Sequence, residues 1–157
     1  MAHKILPAQM SDAPAILALQ RHAYETEARL YGDWSIPPLT QTLPELEAEF
    51  AAMAILKALG AQGAIVGSVR GCLEGGVCRI GRLVVRQDCR RQGLGAALLA
   101  AVEAAFPQAE RYALFTGALS ADNLRLYARA GYVEAARREA KPGLMLVFLE
   151  KPGPARG

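Results

Sequence analysis

The chain has 157 residues, of which 52% are hydrophobic and 21% charged, with a formal net charge of +3. A chain of this length buries roughly two thirds of the surface that its unfolded form exposes, which excludes a disulfide-dependent miniature scaffold and a disordered tail. Its longest uncharged stretch, Ala58 to Val69, has 12 residues, whereas a membrane-spanning helix needs roughly 20. We expect one globular domain over residues 1–157 and no membrane segment.

The amino terminus and the cysteines predict a cytoplasmic protein. Pro7 and Gln9 interrupt the apolar run that a signal peptide needs. The three cysteines are Cys72, Cys78 and Cys89. Their odd number and irregular spacing fit neither a disulfide framework nor a zinc site, and His3 and His22 lack the spacing of metal ligands. We therefore expect reduced thiols and no metal.

Two helices are predicted in the first third of the chain. Ser11-Asp12 opens a helix with one apolar face, which ends near Tyr31-Gly32. Residues 33–38 follow as a loop. Thr42-Leu43-Pro44-Glu45 then forms a capping box with proline in the first turn, which begins a short second helix.

Three antiparallel strands are predicted next. Residues 54–59 and 64–70 flank the glycine-containing turn 60–63 and indicate a hairpin. A second turn at Gly75-Gly76 leads into a third strand over residues 77–85. The three segments together predict a meander.

The second half of the chain alternates helices and strands. The spacing predicts a long helix from Gly93 to Phe106, with Leu94, Leu98, Ala101 and Ala105 on its apolar stripe. The remaining elements are a strand over 111–116, a helix over 122–130 capped by Ser120 and closed by Gly131, and strands over 132–136 and 144–149. The predicted fold class is therefore α/β (α+β), a mixed sheet with helices on its faces.

Residues 83–95 carry the most informative pattern. A strand ending at Leu83, Val84 and Val85 leads into a helix with glycines at positions 93 and 95. The first amides of a helix have no partner within it and lie at the positive end of its dipole, so they bind anions, and glycine lets a phosphate approach closely. We predict a pyrophosphate site; the alternative is that the glycines serve close packing of the helix on the strand.

Two other nucleotide-binding motifs do not fit this segment. A Walker loop needs a Lys-Ser or Lys-Thr pair, and the chain has neither. A dinucleotide fingerprint needs a small residue where the chain has Leu98, and it needs parallel strands where the pattern predicts antiparallel ones.

Two motifs carry a resemblance to a known family. Arg90-Arg91-Gln92-Gly93-Leu94-Gly95 resembles the [RQ]-x-x-G-x-[GA] signature of the GNAT superfamily of acyl-CoA-dependent N-acetyltransferases. Asn123 to Tyr132 resembles that family's N-x-x-x-Y-x-x-x-G-[FY] element, and residues 144–151 are similar to its last strand. The resemblance covers nearly the whole chain and implies a GNAT-like mixed central sheet of about six or seven strands flanked by four helices.

The resemblance implies acetyl-CoA as the acyl donor. The residues implied in binding coenzyme A are Leu83, Val84, Val85, Arg90, Arg91, Gln92, Gly93, Leu94, Gly95, Ala96 and Asn123. Strand residues 83–85 would bind the pantetheine arm through their main chain, and residues 92–96 would hold the pyrophosphate. Asn123 would contact the pantetheine or position its helix. Tyr127 would be the catalytic residue, close to the thioester sulfur.

The acceptor side is less defined. Many relatives carry a glutamate at the position of Arg79, so the general base cannot be carried over to this chain. The candidates on the acceptor side are Tyr24, Glu25, Tyr31, Asp33, Trp34 and Glu74, and Glu27 lies in the same region. The alternatives are solvated surface positions for the carboxylates and packing between the two helices for the aromatic rings.

The resulting functional hypothesis is direct transfer of an acetyl group from acetyl-CoA to a primary amine of a small molecule or peptide. The alternative is a non-catalytic acyl-CoA-binding sensor, and a homodimer is compatible with the family. Cys89 has no histidine near it in sequence, which argues against an acyl-carrying nucleophile. Nucleic-acid binding would have to use Arg86, Arg90, Arg91, Arg137 and Arg138. These arginines are scattered over several elements and the net charge is small, so no nucleic-acid partner is expected.

Overall fold

The computed structural model describes residues 3–156, which form a mixed sheet with helices on both faces. The strands are β1 (Lys4–Pro7), β2 (Ala54–Leu59), β3 (Ile65–Glu74), β4 (Val77–Val85), β5 (Arg111–Gly117), β6 (Val133–Lys141) and β7 (Leu144–Pro152). The helices are α1 (Ala13–Tyr31), α2 (Pro37–Thr40), α3 (Leu43–Glu49), α4 (Leu94–Ala104) and α5 (Ala121–Arg129). The predicted α/β fold class is confirmed.

The sheet has seven strands in the order β1-β2-β3-β4-β5-β7-β6. The predicted meander is confirmed, because β2, β3 and β4 pair antiparallel in sequence order. β3 lies between the two helical layers. On one face, Gly67 and Gly71 let α4 approach, because a Cβ at either position would meet Leu98 or Val102. On the other face, Arg70 donates a hydrogen bond to Gln20 of α1.

The feature that positions the site is the junction between β4 and β5. These two strands run parallel, and they pair only across residues 77–79 and 111–113. Beyond Arg79 and Ala113 the strands separate, while β4 stays paired with β3 as far as Val85. A wedge-shaped cleft therefore opens toward the carboxyl ends of both strands, the edge at which α4 and α5 begin.

Several element predictions need correction. Lys4–Pro7, predicted as no element, forms β1 and pairs antiparallel with β2; proline is tolerated there because β1 is an edge strand. The predicted loop over 33–38 contains the start of the one-turn helix α2, with Pro37 at its first position, so the helices number five rather than four. The last hairpin is longer than predicted, since β6 extends to Lys141 and turns at Gly143.

Two side-chain assignments were also wrong. The α4 residues that are buried are Leu94, Leu98, Leu99 and Val102, whereas Ala105 is exposed. The larger side chains define the core-facing stripe, because the alanines bury little area. Ser120 occupies the N-cap position of α5 but makes no capping hydrogen bond; its hydroxyl instead donates to Glu27 of α1. The capping box of α3, between Thr42 and Glu45, is confirmed.

Candidate functional site

The amino terminus of α4 presents unpaired amides at the cleft edge. The first bond within the helix runs from the Ala97 amide to the Gly93 carbonyl at 3.0 Å, so the amides of residues 94–96 have no partner in the helix. Gly93 has φ +77° and no atom within 4 Å of the position its Cβ would occupy. Arg91 also has a positive φ of 63°. The loop thus turns its backbone outward into open space, as an anion site requires.

Glycine is required at positions 93 and 95 for two different structural reasons. Gly93 needs its left-handed backbone. Gly95 needs space, because a Cβ there would lie 3.3 Å from Leu126 of α5 and 3.9 Å from Val85. Close packing therefore explains part of the pattern at Gly95 and none of it at Gly93. Around them Arg90, Arg91, Gln92 and Ala96 are exposed, whereas Leu94 is buried in the core.

The end of β4 forms one wall of the cleft. Leu83, Val84 and Val85 lie past the point where β5 stops pairing, and Val84 and Val85 are held on their other side by β3. Their main-chain groups on the β5 side have no strand partner among residues 3–156. An extended ligand segment can bind there as an added strand does. The end of β4 is followed along the chain by the loop that precedes the first amides of α4.

Tyr127 lies on the opposite wall, on α5. Its side chain is 7% exposed, and its ring packs against Tyr132 with 6.1 Å between the ring centroids. Burial raises the pKa of Tyr127 far above its ordinary value, and the nearby Tyr24 and Glu27 of α1 raise it further. The phenol therefore stays protonated at neutral pH. Tyr127 belongs to the same buried cluster as the core residues of α4, and Tyr24 and Glu27 of α1 still act on its pKa. We therefore infer that it lies near the point where β4 and β5 separate.

Asn123 joins α5 to the end of β5. Its Nδ2 donates to Thr116 Oγ1 at 3.2 Å, so it holds the first turn of α5 against the strand. Among its two expected roles, this contact matches the positioning of the helix. Thr116 was not singled out from the sequence.

A polar network ties α1 to the loop between β5 and α5. The Tyr31 hydroxyl lies 2.9 Å from Ser120 Oγ and accepts from the Leu119 amide at 2.9 Å. Ser120 Oγ donates to Glu27 Oε2 at 2.6 Å. Gly117 makes room for this arrangement, because a Cβ there would lie 1.9 Å from the Tyr31 hydroxyl oxygen. Tyr31 and Glu27 are thereby placed at the mouth of the cleft.

A second polar cluster lies between α1, α3 and the sheet. Arg70 of β3 is 3% exposed, forms an ion pair with Glu49 at 3.1 Å and hydrogen bonds with Gln20 and Gln41. Burial lowers the pKa of Arg70, and the nearby charge of Arg82 lowers it further, whereas Glu49 acts in the opposite direction. Each guanidinium so buried needs a compensating carboxylate. Arg70 has one.

Arg82 and Tyr24 border the same cluster on the cleft side. Arg82 lies in a β-bulge of β4, between the pairs Ser68–Val84 and Arg70–Gly81, and it has φ +52°. Its Nε is buried and has no hydrogen-bond partner among residues 3–156. Burial raises the pKa of Tyr24, while the positive charge of Arg82 lowers it. The arginine is therefore close to Tyr24.

Four of the predicted acceptor-side residues lie away from the cleft. Glu25 faces His22 on the outer side of α1, and Trp34 is 54% exposed beneath the guanidinium of Arg29. Glu74 lies in the β3–β4 turn, 3.4 Å from Arg79. Asp33 binds Ser35 and forms an ion pair with Lys141 of β6, and these contacts lower its pKa to about 2.

The residues that sequence reasoning missed are mostly members of the buried polar clusters: Gln20, Gln41, Glu49, Arg70, Arg82, Thr116 and Ser120. A signal was present for the arginines, since each lies within a mostly apolar strand. Charged residues are almost never buried without a partner or a function.

Two further findings concern the class of protein. Among residues 3–156, no three His, Cys, Asp or Glu side chains gather as metal ligands would. No helix in this part of the chain combines the length and apolar composition needed to cross a membrane.

Comparison with known proteins identifies the family. The acetyltransferase (GNAT) domain family matches residues 52–134. The PaiA N-acetyltransferase from Thermoplasma acidophilum, solved in complex with coenzyme A, superposes with a TM-score of 0.80 at 14% identity over 97% of this chain and 99% of that one. The ribosomal-protein-S18-alanine N-acetyltransferase from Escherichia coli superposes with a TM-score of 0.74 at 19% identity, over 96% and 94% of the two chains.

A curated relative extends the match along the sequence. The UPF0157 protein YqkA of Bacillus subtilis is 30% identical over 134 residues, which are 85% of this chain but 38% of that protein. The chain thus spans well under half the length of this relative. The family match shows that the chain belongs to the acetyltransferase (GNAT) family, and the superpositions show that it has the fold of these N-acetyltransferases.

Proposed function

We propose that the protein transfers an acetyl group from acetyl-CoA directly to a primary amine, with no covalent enzyme intermediate. The observation that carries the proposal is the pairing of two features across one cleft: unpartnered helix amides at residues 94–96 and a buried, protonated tyrosine at position 127. The first suits a pyrophosphate and the second a departing thiolate. The coenzyme A bound to the PaiA relative supports the same donor.

The residues present fit coenzyme A. The space beside Gly93 is open, the amides of residues 94–96 are unpaired, and Arg90 and Arg91 are exposed beside them. The unpaired edge of residues 83–85 suits an extended pantetheine arm. Acetyl-CoA supplies a thioester, whose carbonyl carbon is the point of attack.

Three protein groups would assist the transfer. The amine nitrogen forms a C–N bond with the acetyl carbon as the C–S bond breaks. A main-chain amide of residues 83–85 would stabilise the negative charge that develops on the carbonyl oxygen. Tyr127 would donate a proton to the sulfur, and Glu27 would accept the proton that the amine loses, directly or through water. Both then exchange protons with solvent.

Glu27 replaces the base that could not be assigned from the sequence. Arg79 occupies the position of the family's frequent glutamate, and it points outward to Glu74. Glu27 is half-buried, is held by Ser120, and raises the pKa values of both Tyr24 and Tyr127. These contacts support Glu27 as the carboxylate that would serve as the base. A cytoplasmic location and a homodimeric assembly stay predictions.

The experiment that tests this proposal measures binding and turnover separately. Acetyl-CoA affinity is measured by titration calorimetry, and release of free thiol is followed with a panel of amines. We expect binding together with amine-dependent thiol release. Binding without any accepted amine would instead support the non-catalytic sensor, and absence of binding would refute both.

A further inference from the structure

The charge balance beside the cleft is incomplete. Two guanidinium groups, those of Arg70 and Arg82, lie on the α1 side of β3 and β4, close enough that the charge of one lowers the pKa of the other. Glu49 neutralises Arg70 at 3.1 Å. No carboxylate among residues 3–156 lies within ion-pair distance of Arg82, and its Nε is buried without a partner. One half-buried positive charge is therefore left without an anion.

The backbone of Arg82 has an unusual conformation within the donor wall of the cleft. A positive φ is uncommon for a residue other than glycine and is found where a structure holds a functional side chain in place. Here the φ of +52° belongs to a bulge in β4, the strand that forms the donor wall of the cleft. Bulges redirect side chains in this way next to active sites. The charge of Arg82 acts on Tyr24 of α1, on the acceptor side, where it lowers the pKa of the phenol.

Two groups of opposite charge act on Tyr24. Arg82 lowers the pKa of Tyr24 and Glu27 raises it, so both lie near the phenol. They form no ion pair with each other within residues 3–156, since Glu27 accepts from Ser120. A small molecule with an amine and a carboxylate would match this arrangement: its amine beside Glu27 and Tyr127, its carboxylate beside Arg82.

We propose that Arg82 and Tyr24 form an anion subsite within the acceptor site, and that the acceptor is a small amine that also carries a carboxylate, as an amino acid does. The subsite rests on the proposed acetyltransfer function. Polyamines are disfavoured, because they bring positive charge to an arginine that has no partner. An acceptor whose carboxylate is absent leaves the half-buried Arg82 charge without an anion among the described residues.

The test uses matched acceptors and variants of the full chain. The acceptors are the twenty common amino acids and the α-carboxamide of each, which keeps the amine and removes the carboxylate charge. For at least one amino acid we expect kcat/KM to exceed that of its amide by about tenfold or more, as a charged hydrogen bond predicts. Arg82→Gln should remove this preference mainly through KM, so that kcat/KM falls about tenfold further for the amino acid than for its amide, and should keep acetyl-CoA affinity.

Two control variants separate charge at this position from charge in general. Arg82→Lys keeps the positive charge and should retain part of the preference. Arg79→Gln removes an exposed arginine of the same strand, paired with Glu74 on the surface, and should leave the preference intact. Equal or better turnover of amides, polyamines or peptides by the native protein would overturn the anion subsite, while the acetyltransferase function would stand.

A binding measurement keeps the subsite testable without turnover. In the presence of coenzyme A, the Nε–H signal of Arg82 is followed by NMR during titration with each amino acid and its amide, and is assigned by its loss in Arg82→Gln. A shift caused by an amino acid and not by its amide supports the subsite, even if no acetyl transfer is detected. Absence of acetyl transfer would then refute the proposed function and leave the subsite standing. No shift with any of the amino acids would overturn the subsite.

Discussion

The donor side and the acceptor side of the cleft are built in different ways. The proposed donor side is a short continuous segment, residues 83–96, whose candidate binding groups are backbone amides at an exposed helix end. The acceptor side is a set of side chains from α1, β3, β4 and the β5–α5 loop, with partners as much as 93 residues apart. Backbone amides can bind any phosphate of suitable shape, whereas side-chain clusters select for charge and form. The first region therefore suits a donor common to the family, and the second suits an acceptor particular to this chain.

The largest expected effect breaks the acceptor side. Glu49→Gln removes the carboxylate that neutralises the buried Arg70, and leaving such a charge unpaired costs about 3 to 5 kcal/mol of the free energy of unfolding. Urea denaturation measures this loss. Glu47→Gln is the control on the same helix and should change stability by less than about 0.5 kcal/mol. A similar small loss for both variants would mean that Gln20 and Gln41 suffice to hold Arg70.

The second prediction concerns a substitution that should strongly weaken binding at the proposed donor side and leave the fold intact. Gly93→Asp places a carboxylate where the phosphates bind, and we expect coenzyme A affinity to fall about a hundredfold or more, because like charges would meet at the helix terminus. Gly93→Asn is nearly isosteric, tolerates the φ of +77° and carries no charge. Calorimetric titration should show a much smaller loss for asparagine. Equal losses in the two variants would point to steric exclusion alone.

The third prediction concerns Tyr127, which stands between the two sides. Tyr127→Phe keeps the ring that packs on Tyr132 and removes the hydroxyl, so kcat should fall at least about tenfold with acetyl-CoA affinity unchanged. A thioester with a more acidic leaving thiol should lose less. Tyr132→Phe is the control, since the Tyr132 hydroxyl donates to Glu103 of α4 at 2.7 Å and not into the cleft; it should lower stability and spare kcat. Equal losses of kcat with both donors would assign Tyr127 to substrate positioning.

The smallest expected effect sharpens the assignment of the base. Glu27→Gln can still accept from Ser120 but cannot take a proton, and we expect kcat/KM for the amine to fall by about tenfold. Glu25→Gln lies two residues away on the outer side of α1, facing His22, and should leave the rate unchanged. Steady-state kinetics over a range of pH makes the comparison. If the loss of kcat/KM disappears at high pH, the amine can lose its proton to solvent before it binds. An unchanged kcat/KM at every pH would show that Glu27 is not part of the mechanism.

The elements that sequence patterns predicted well are those with local causes. The capping box at Thr42 and the glycine turns of the meander depend on contacts within a few residues, and the structure contains them. β1 escaped prediction because four residues ending in Pro7 carry no period, and pairing with β2 alone makes them a strand. The full length of β6 escaped for a related reason, since all nine of its residues are exposed and only the ladder to β7 defines it.

The sequence by itself determined the family and the fold class and predicted the donor segment, because a strand, a polar turn and a glycine-containing helix start are encoded by neighbouring residues. The tertiary structure decided which of many acidic and aromatic side chains meet at the cleft. Glu25 and Glu27 look alike in the sequence, yet the turn of α1 sends one to solvent and the other to Ser120. Arg70 and Arg82 differ in the same way, since only folding brings Glu49 to Arg70, whereas no carboxylate within residues 3–156 pairs with Arg82. Contacts between residues far apart in the chain have no local pattern, because they depend on how the helices pack on the sheet.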